Sequence, residues 1–207
     1  MILGRGSQPN LDACQRILSL KSEVQTIIAR NDPSLWPRPL MHRPKADLPF
    51  DPLLVPSGLS LLFDATVYID QLKGELPRPI VDLVASRTIL HAAPALAELA
   101  VTIGALEPAD RRTQATLAPI MEMLTRINPS RIVVPNYENW LEAAVMAGIL
   151  ARTQAIPKQD RRKFLNDTLL FLQAADTGAV VISRNSLDLD LLLQIKPQVR
   201  VLLYDKS

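Results

Sequence analysis

Ser60-Leu61-Leu62-Phe63-Asp64-Ala65-Thr66-Val67-Tyr68-Ile69 is a short apolar run closed by a carboxylate and followed by residues that suit a helix. Residues 59–63 are apolar at nearly every position rather than at alternate ones. A strand of that kind is buried on both faces, which means a parallel sheet covered by helices. The switch from strand to helix sets Asp64 at the strand's carboxyl end, the edge where open α/β sheets gather their ligands.

The alternation continues outward from this stretch. Helical patterns cover residues 66–73, 94–104, 108–126, 137–153 and 158–177. Buried-strand patterns cover residues 88–91, 131–134, 179–183 and 199–204. Residues 58–207 are therefore predicted to be one α/β domain with a five-stranded parallel sheet. Residues 1–57 read as an appendage. Asn10 is placed to cap a helix over residues 11–30, whose apolar positions include Leu11, Cys14, Ile17, Leu18, Val24, Ile27 and Ile28. Asn31-Asp32-Pro33 stops it. Pro33, Pro37, Pro39, Pro44, Pro49, Pro52 and Pro56 exclude a helix or a central strand over residues 33–56, which should run extended over a surface or serve as a linker.

Composition narrows the class. At 207 residues, 48% hydrophobic and 21% charged, the chain can bury a full core and is not a disordered one. A net charge of +2 does not by itself argue for nucleic acid. The single cysteine, Cys14, excludes an internal disulfide and a cysteine-based metal site. No run approaches the roughly 20 apolar residues of a membrane span, and the first ten residues lack a signal-peptide apolar region. The expectation is a soluble cytoplasmic protein.

Four acids stand where apolar runs end: Asp64, Glu98 in Ala95-Leu-Ala-Glu-Leu99, Asp167 in Phe164-Leu-Asn-Asp-Thr168, and Asp188 after residues 180–187. Asp64, Glu98 and Asp188 follow predicted strands and can converge on one edge; Asp167 joins them if its helix begins there. Asp190 competes with Asp188 for its place. Carboxylates gathered at such an edge suit a hard divalent cation, Mg²⁺ or Mn²⁺, which prefers oxygen ligands. A cation held by acids alone points to phosphate chemistry.

Residues 58–204 resemble the PIN-domain nucleases, and among them the VapC-type toxins. Phe63-Asp64-Ala-Thr66-Val-Tyr-Ile69 is similar to the family's opening motif, and Glu98-Leu99 to its second acid. Asp167-Thr-Leu-Leu-Phe-Leu-Gln-Ala174 is similar to its third motif, and Val181-Ile-Ser183-Arg-Asn185-Ser-Leu-Asp188 to its last. The resemblance implies a three-layer α/β/α domain with strand order 3-2-1-4-5 and Mg²⁺- or Mn²⁺-dependent endoribonuclease activity. It implies a pocket of Asp64, Glu98, Asp167 and Asp188, with Thr66, Ser183 and Asn185 hydrogen-bonded to carboxylates or metal waters. A VapB-like antitoxin and a homodimer follow from the same resemblance. Three departures stand out: the family's usual Ser/Thr after strand two is missing in His91-Ala-Ala-Pro94, Leu189 follows Asp188 where an aromatic is common, and the short toxins have no counterpart of residues 1–57. The alternative reading is a PIN-like fold kept as a non-catalytic RNA- or protein-binding module.

The remaining features are assigned more plainly. Arg161, Arg162 and Lys163 lie one turn before Asp167, where an RNA backbone can span both. A phosphoaspartyl hydrolase is disfavoured because Thr66 stands where a second Asp is needed. His42 and His91 lack a partner histidine at ligand spacing and read as structural. Trp36 and Trp140 read as packing anchors, and Asp70 and Asp176 as solvated helix residues. Arg38, Arg43 and Lys45 equip the proline-rich segment to lie across the chain's own acid pocket or a dimer surface; simple packing of the first helix on the domain is the plainer alternative.

Overall fold

The central strand β1 (Leu61–Phe63) buries all three side chains, as its unbroken apolar run requires. It pairs in parallel with β2 (Ile89–Ala92) on one side and β4 (Val180–Ser183) on the other. β3 (Ile132–Val133) lies beyond β2, and β5 (Arg200–Leu203) beyond β4. The order is 3-2-1-4-5, all parallel, as the resemblance implies. The structure, a computed structural model, describes residues 8–206, with side chains from residue 19 onward except that of Arg111. The assignment of Cys14 to a core or docking surface lies outside the described side chains.

Eight helices connect these strands among the described residues: α1 (Gln8–Arg30), α2 (Ala65–Lys73), α3 (Arg78–Ala85), α4 (Ala93–Ala105), α5 (Arg111–Arg126), α6 (Tyr137–Thr153), α7 (Arg161–Thr177) and α8 (Ser186–Ile195). From β1 to β3 the chain moves across the sheet one way, and from β3 through β4 to β5 it moves back. Right-handed crossovers then put α2–α5 on one face and α6–α8 on the other. Within the faces α2 packs on α4, and α7 packs on both α6 and α8; α4 and α7 also pack on each other, across this division.

Two helices were not anticipated from the sequence. α3 starts at a proline-rich turn, with Pro77 as its N-cap and Pro79 in its first turn, where a missing N–H costs nothing. α8 occupies what reads as an acidic loop; Asn185 caps it by accepting from the Asp188 N–H. α1 begins at Gln8, so Asn10 lies inside it rather than capping it. Trp140 is half exposed on α6 and does not anchor packing.

The proline-rich segment is neither a free linker nor wholly extended. Three 3₁₀ turns punctuate it, at Pro33–Leu35, Lys45–Asp47 and Pro52–Leu54. Leu40, Leu48, Phe50 and Val55 pack partly buried against the core. The Pro49 carbonyl accepts the Leu203 N–H at 2.8 Å, so the segment caps the open edge of β5. α1 docks on α6 through buried Ile27, and Asn31 donates to Glu142 at 3.0 Å. Among the described residues, none in the range 19–56 hydrogen-bonds or ion-pairs with Asp64, Glu98, Asp167 or Asp188.

Removing residues 1–56 uncovers this docking surface. Half-burial of four apolar side chains is worth about 1 kcal/mol each, and each kcal/mol moves the melting temperature of a chain this long by about 2–4 °C. Residues 57–207 alone are expected to melt about 10 °C lower than the whole chain, or to aggregate. Calorimetry of the two proteins checks this; equal melting temperatures would make the segment a linker after all.

Candidate functional site

Asp64 ends β1 and caps α2. Its N–H donates to the Ile182 carbonyl at 3.1 Å, which fixes the β1 terminus against β4. Its carboxylate accepts from the Ala65 N–H at 2.6 Å, the Thr66 hydroxyl at 2.7 Å and the Ser183 hydroxyl at 2.6 Å. A carboxylate offers about four lone-pair sites. Three are taken, so Asp64 is both a helix cap and a buried acid with acceptor capacity left.

The β4–α8 turn supplies the frame. The Asn185 N–H donates to the Ser183 hydroxyl at 2.9 Å, and the Arg184 N–H to the Thr66 hydroxyl at 3.2 Å. The Asn185 amide donates to Asp167 at 3.2 Å and to Asp188 at 2.8 Å, bridging the two carboxylates. Thr66, Ser183 and Asn185 therefore all hydrogen-bond to acids of the group. Asp188 lies in the first turn of α8 rather than in a loop, and Lys163 approaches it at 3.7 Å. Asp190, its competitor, points elsewhere, to His42 and Arg43.

Glu98 sits in the second turn of α4, half-buried, and accepts from the Asn166 amide at 3.0 Å. Burial raises its pKa, and the charge of Asp64 adds to this; Asn166 and Lys163 oppose it. Asp167, in the second turn of α7, is 5% exposed. Burial pushes its carboxyl well above the ordinary range, reinforced by the charges of Asp64, Asp188 and Glu98 and by a hydrogen bond with Asp188. The four acids thus feel one another electrostatically, with Asp167 at the focus.

No group of three or more His, Cys, Asp or Glu among the described residues stands close enough to hold one ion. The donor chemistry nonetheless fits a hard cation. Every acid offers oxygen, and Mg²⁺ takes one or two carboxylates plus several waters rather than a closed cage. Burial is the larger cause of Asp167's raised carboxyl, and the neighbouring carboxylates push it the same way.

Of the three basic residues placed beside the site, Lys163 reaches it. Arg161 instead turns back to the Ile156 carbonyl at 3.4 Å, and Arg162 is exposed. Sequence reasoning missed Asn166; its signal was a second polar residue inside the apolar run 164–172. It also misread Asp70. That carboxylate is wholly buried and receives Arg184 Nε at 2.9 Å and the Tyr204 hydroxyl at 2.8 Å, with Lys206 at 3.6 Å. α2 turns Asp70 toward β4 and β5, so it is a packing charge rather than a solvated one. His91 shares a 2.6 Å hydrogen bond with the Tyr68 hydroxyl, and His42 lies 3.3 Å from Asp190. Beside His91 a groove of about 600 Å³ opens between α2, α3 and α5, lined by Tyr68, Leu72, Met123, Arg126 and Arg131 among others. Among the described residues no helix is long and apolar enough to cross a membrane.

Sheet order and a carboxyl edge lined with acids define a PIN-like α/β/α fold, similar to that of solved VapBC structures. VapBC2 from Rickettsia felis, solved bound to a DNA fragment from its promoter, matches with a TM-score of 0.50 at 13% identity, over 71% of this chain and 100% of that one. FitAcB from Neisseria gonorrhoeae matches with a TM-score of 0.48 at 16% identity, over 69% and 96%. VapBC-1 from nontypeable Haemophilus influenzae gives 0.46 at 18% identity, over 71% and 97%. No protein-family model matches the chain, and no curated protein sequence matches it.

The raised Asp167 carboxyl has a stability consequence. The fold prefers its protonated form, so its favourable contribution is full at low pH and is lost as pH rises through the folded pKa, above the ordinary carboxylate value of 3.8. Asp167→Asn removes that loss. The metal-free variant should melt above the metal-free parent at neutral pH, by about 2–4 °C for each kcal/mol relieved, and the gap should close on acidification. Melting curves from pH 3 upward check the sign; a variant less stable than the parent at pH 7 would contradict it.

Proposed function

We propose that the chain is a metal-dependent endoribonuclease of the VapC kind. The observation that carries this reading is the hydrogen-bonded frame at the sheet's carboxyl edge, where Ser183 and Thr66 hold Asp64 and Asn185 joins Asp167 to Asp188, with Lys163 3.7 Å from Asp188. Asp64, Glu98, Asp167 and Asp188 would hold Mg²⁺ or Mn²⁺. Bound there, the ion would lower the pKa of a water and neutralise charge on the scissile phosphate.

The chain's own groups supply the rest. Ser183, Thr66 and the Ala65 N–H fix the Asp64 oxygens in orientation, and Asn185 fixes Asp167 against Asp188. Preorganised acids of this kind need no rearrangement when substrate arrives. Lys163 stands where it can meet a phosphate beside the acids. RNA is the proposed substrate, and the cytoplasm the proposed place of action.

An antitoxin-like partner and a homodimer belong to the same reading. The match to a VapBC2 assembly supports the partner. The open groove between α2, α3 and α5, with apolar walls and basic Arg126 and Arg131, offers such a partner a place to dock.

Asp64→Asn should lower RNA cleavage by about 100-fold or more while leaving the fold intact, and chelation of the metal should silence the parent. Cleavage that survives either treatment would remove the reading and leave a non-catalytic binding module. Lys163→Gln should flatten the salt dependence of RNA binding by about 0.7 in log–log slope, the value for one phosphate contact on a single strand; Arg161→Gln should change it less. Filter-binding titrations across salt separate the two.

A further inference from the structure

The segment that precedes the domain grips α8, the helix that carries Asp188, on the side away from the acids. α8 carries Asp188 in its first turn, facing Asn185 and Lys163. Asp190, two residues on, is turned about 200° around the helix. It is 1% exposed, and its partners come from the appendage: Arg43 Nε at 2.6 Å, the Arg43 N–H at 2.9 Å and His42 Nδ1 at 3.3 Å. Gln194, four residues further along the same face, donates to the Met41 carbonyl at 3.1 Å. Burial pushes the Asp190 carboxyl up, but the bonds and charge of Arg43 outweigh it and hold the group below the ordinary range.

The grip extends beyond one pair. Lys196, just past the end of α8, binds Glu142, and Glu142 also receives Asn31 at 3.0 Å and lies 3.5 Å from Arg30. The Pro49 carbonyl joins the segment to β5, the strand that follows α8. Residues 30–49 therefore bracket α8 along its outer face, at its far end and through the next strand.

We propose that this segment is a built-in strut for the acid site: Arg43, by gripping Asp190, holds α8 so that Asn185 and Asp188 stay against Asp167. The inference rests on the reading of the four acids as a metal site. Arg43 is a positioning residue and touches no acid of the site itself. A lid over the acids is a different device, and the segment's contacts run to the opposite side of α8.

The test uses the full chain and two readouts, hydrogen exchange and Mn²⁺ titration by electron paramagnetic resonance. Arg43→Gln leaves Asp190 buried without its cation and risks misfolding. The double variant Arg43→Gln/Asp190→Asn removes the staple without stranding a charge. In the double variant, exchange across residues 185–192 should rise about tenfold, with β1 and β4 unchanged. Mn²⁺ affinity should fall about 10–100-fold, the usual cost of losing a group that orients metal ligands. Arg43→Lys, which keeps the charge, should recover most of both. Unchanged exchange in α8 would overturn the strut, and so would a loosened α8 with full Mn²⁺ affinity. If the parent chain binds no Mn²⁺, the metal reading falls by itself, and exchange at residues 185–188 alone decides whether Arg43 holds them.

Discussion

β1 pairs on both edges and is covered on both faces, so its three residues leave no polar group free except at the ends. That constraint organises the site. The chain leaves the sheet at Asp64, and the first N–H of α2, that of Ala65, meets its carboxylate there. β4, the neighbour in register, ends one residue further along at Ser183, whose hydroxyl reaches the same carboxylate. One parallel pairing thus links Asp64, Thr66, Ser183 and Asn185 into one hydrogen-bonded chain. Glu98 and Asp167 enter from α4 and α7, which pack together.

The fold bears an electrostatic cost at this edge. Asp167 is buried among like charges, and both burial and those charges raise its carboxyl, so the protein alone disfavours its ionised form. Hydrogen bonds from Asn185, Asn166, Ser183 and Thr66 orient the acids without neutralising them, since each donor is uncharged. A site that is oriented but under-neutralised is poised to take up positive charge.

Much of this was legible in the sequence, for identifiable reasons. Apolar runs ending in acids mark strand ends because burial forces polar groups out of the sheet, and Asp64 is legible that way, whereas Ser183 follows only from the family resemblance. α8 was not legible: Ser-Leu-Asp-Leu-Asp alternates like a turn, and only the Asn185 cap and the buried leucines make it a helix. α3 was hidden by the prolines that start it. The ion pairs were hidden for a different reason. Arg43 and Asp190 lie 147 residues apart, and Arg184 and Asp70 lie 114 apart, so neither local spacing nor periodicity connects them.

Those pairs also sharpen what makes an acid a candidate. Burial alone does not, because Asp70, Glu142 and Asp190 are as buried as Asp64 and Asp167. The difference is the partner. Asp70 has Arg184, Glu142 has Lys196 and Arg30, and Asp190 has Arg43. For Glu142 and Asp190, burial pushes the carboxyl up and the cationic partner more than reverses it. For Asp167 and Glu98, burial pushes the same way and neighbouring carboxylates add to it. The fold matches its structural acids with cations drawn from distant parts of the chain, including the appendage. Among the described residues it leaves the acids at the sheet's carboxyl edge with amides, hydroxyls and a single lysine at 3.7 Å. A carboxylate group that the protein orients but does not neutralise has its remaining charge directed outward, toward whatever binds there.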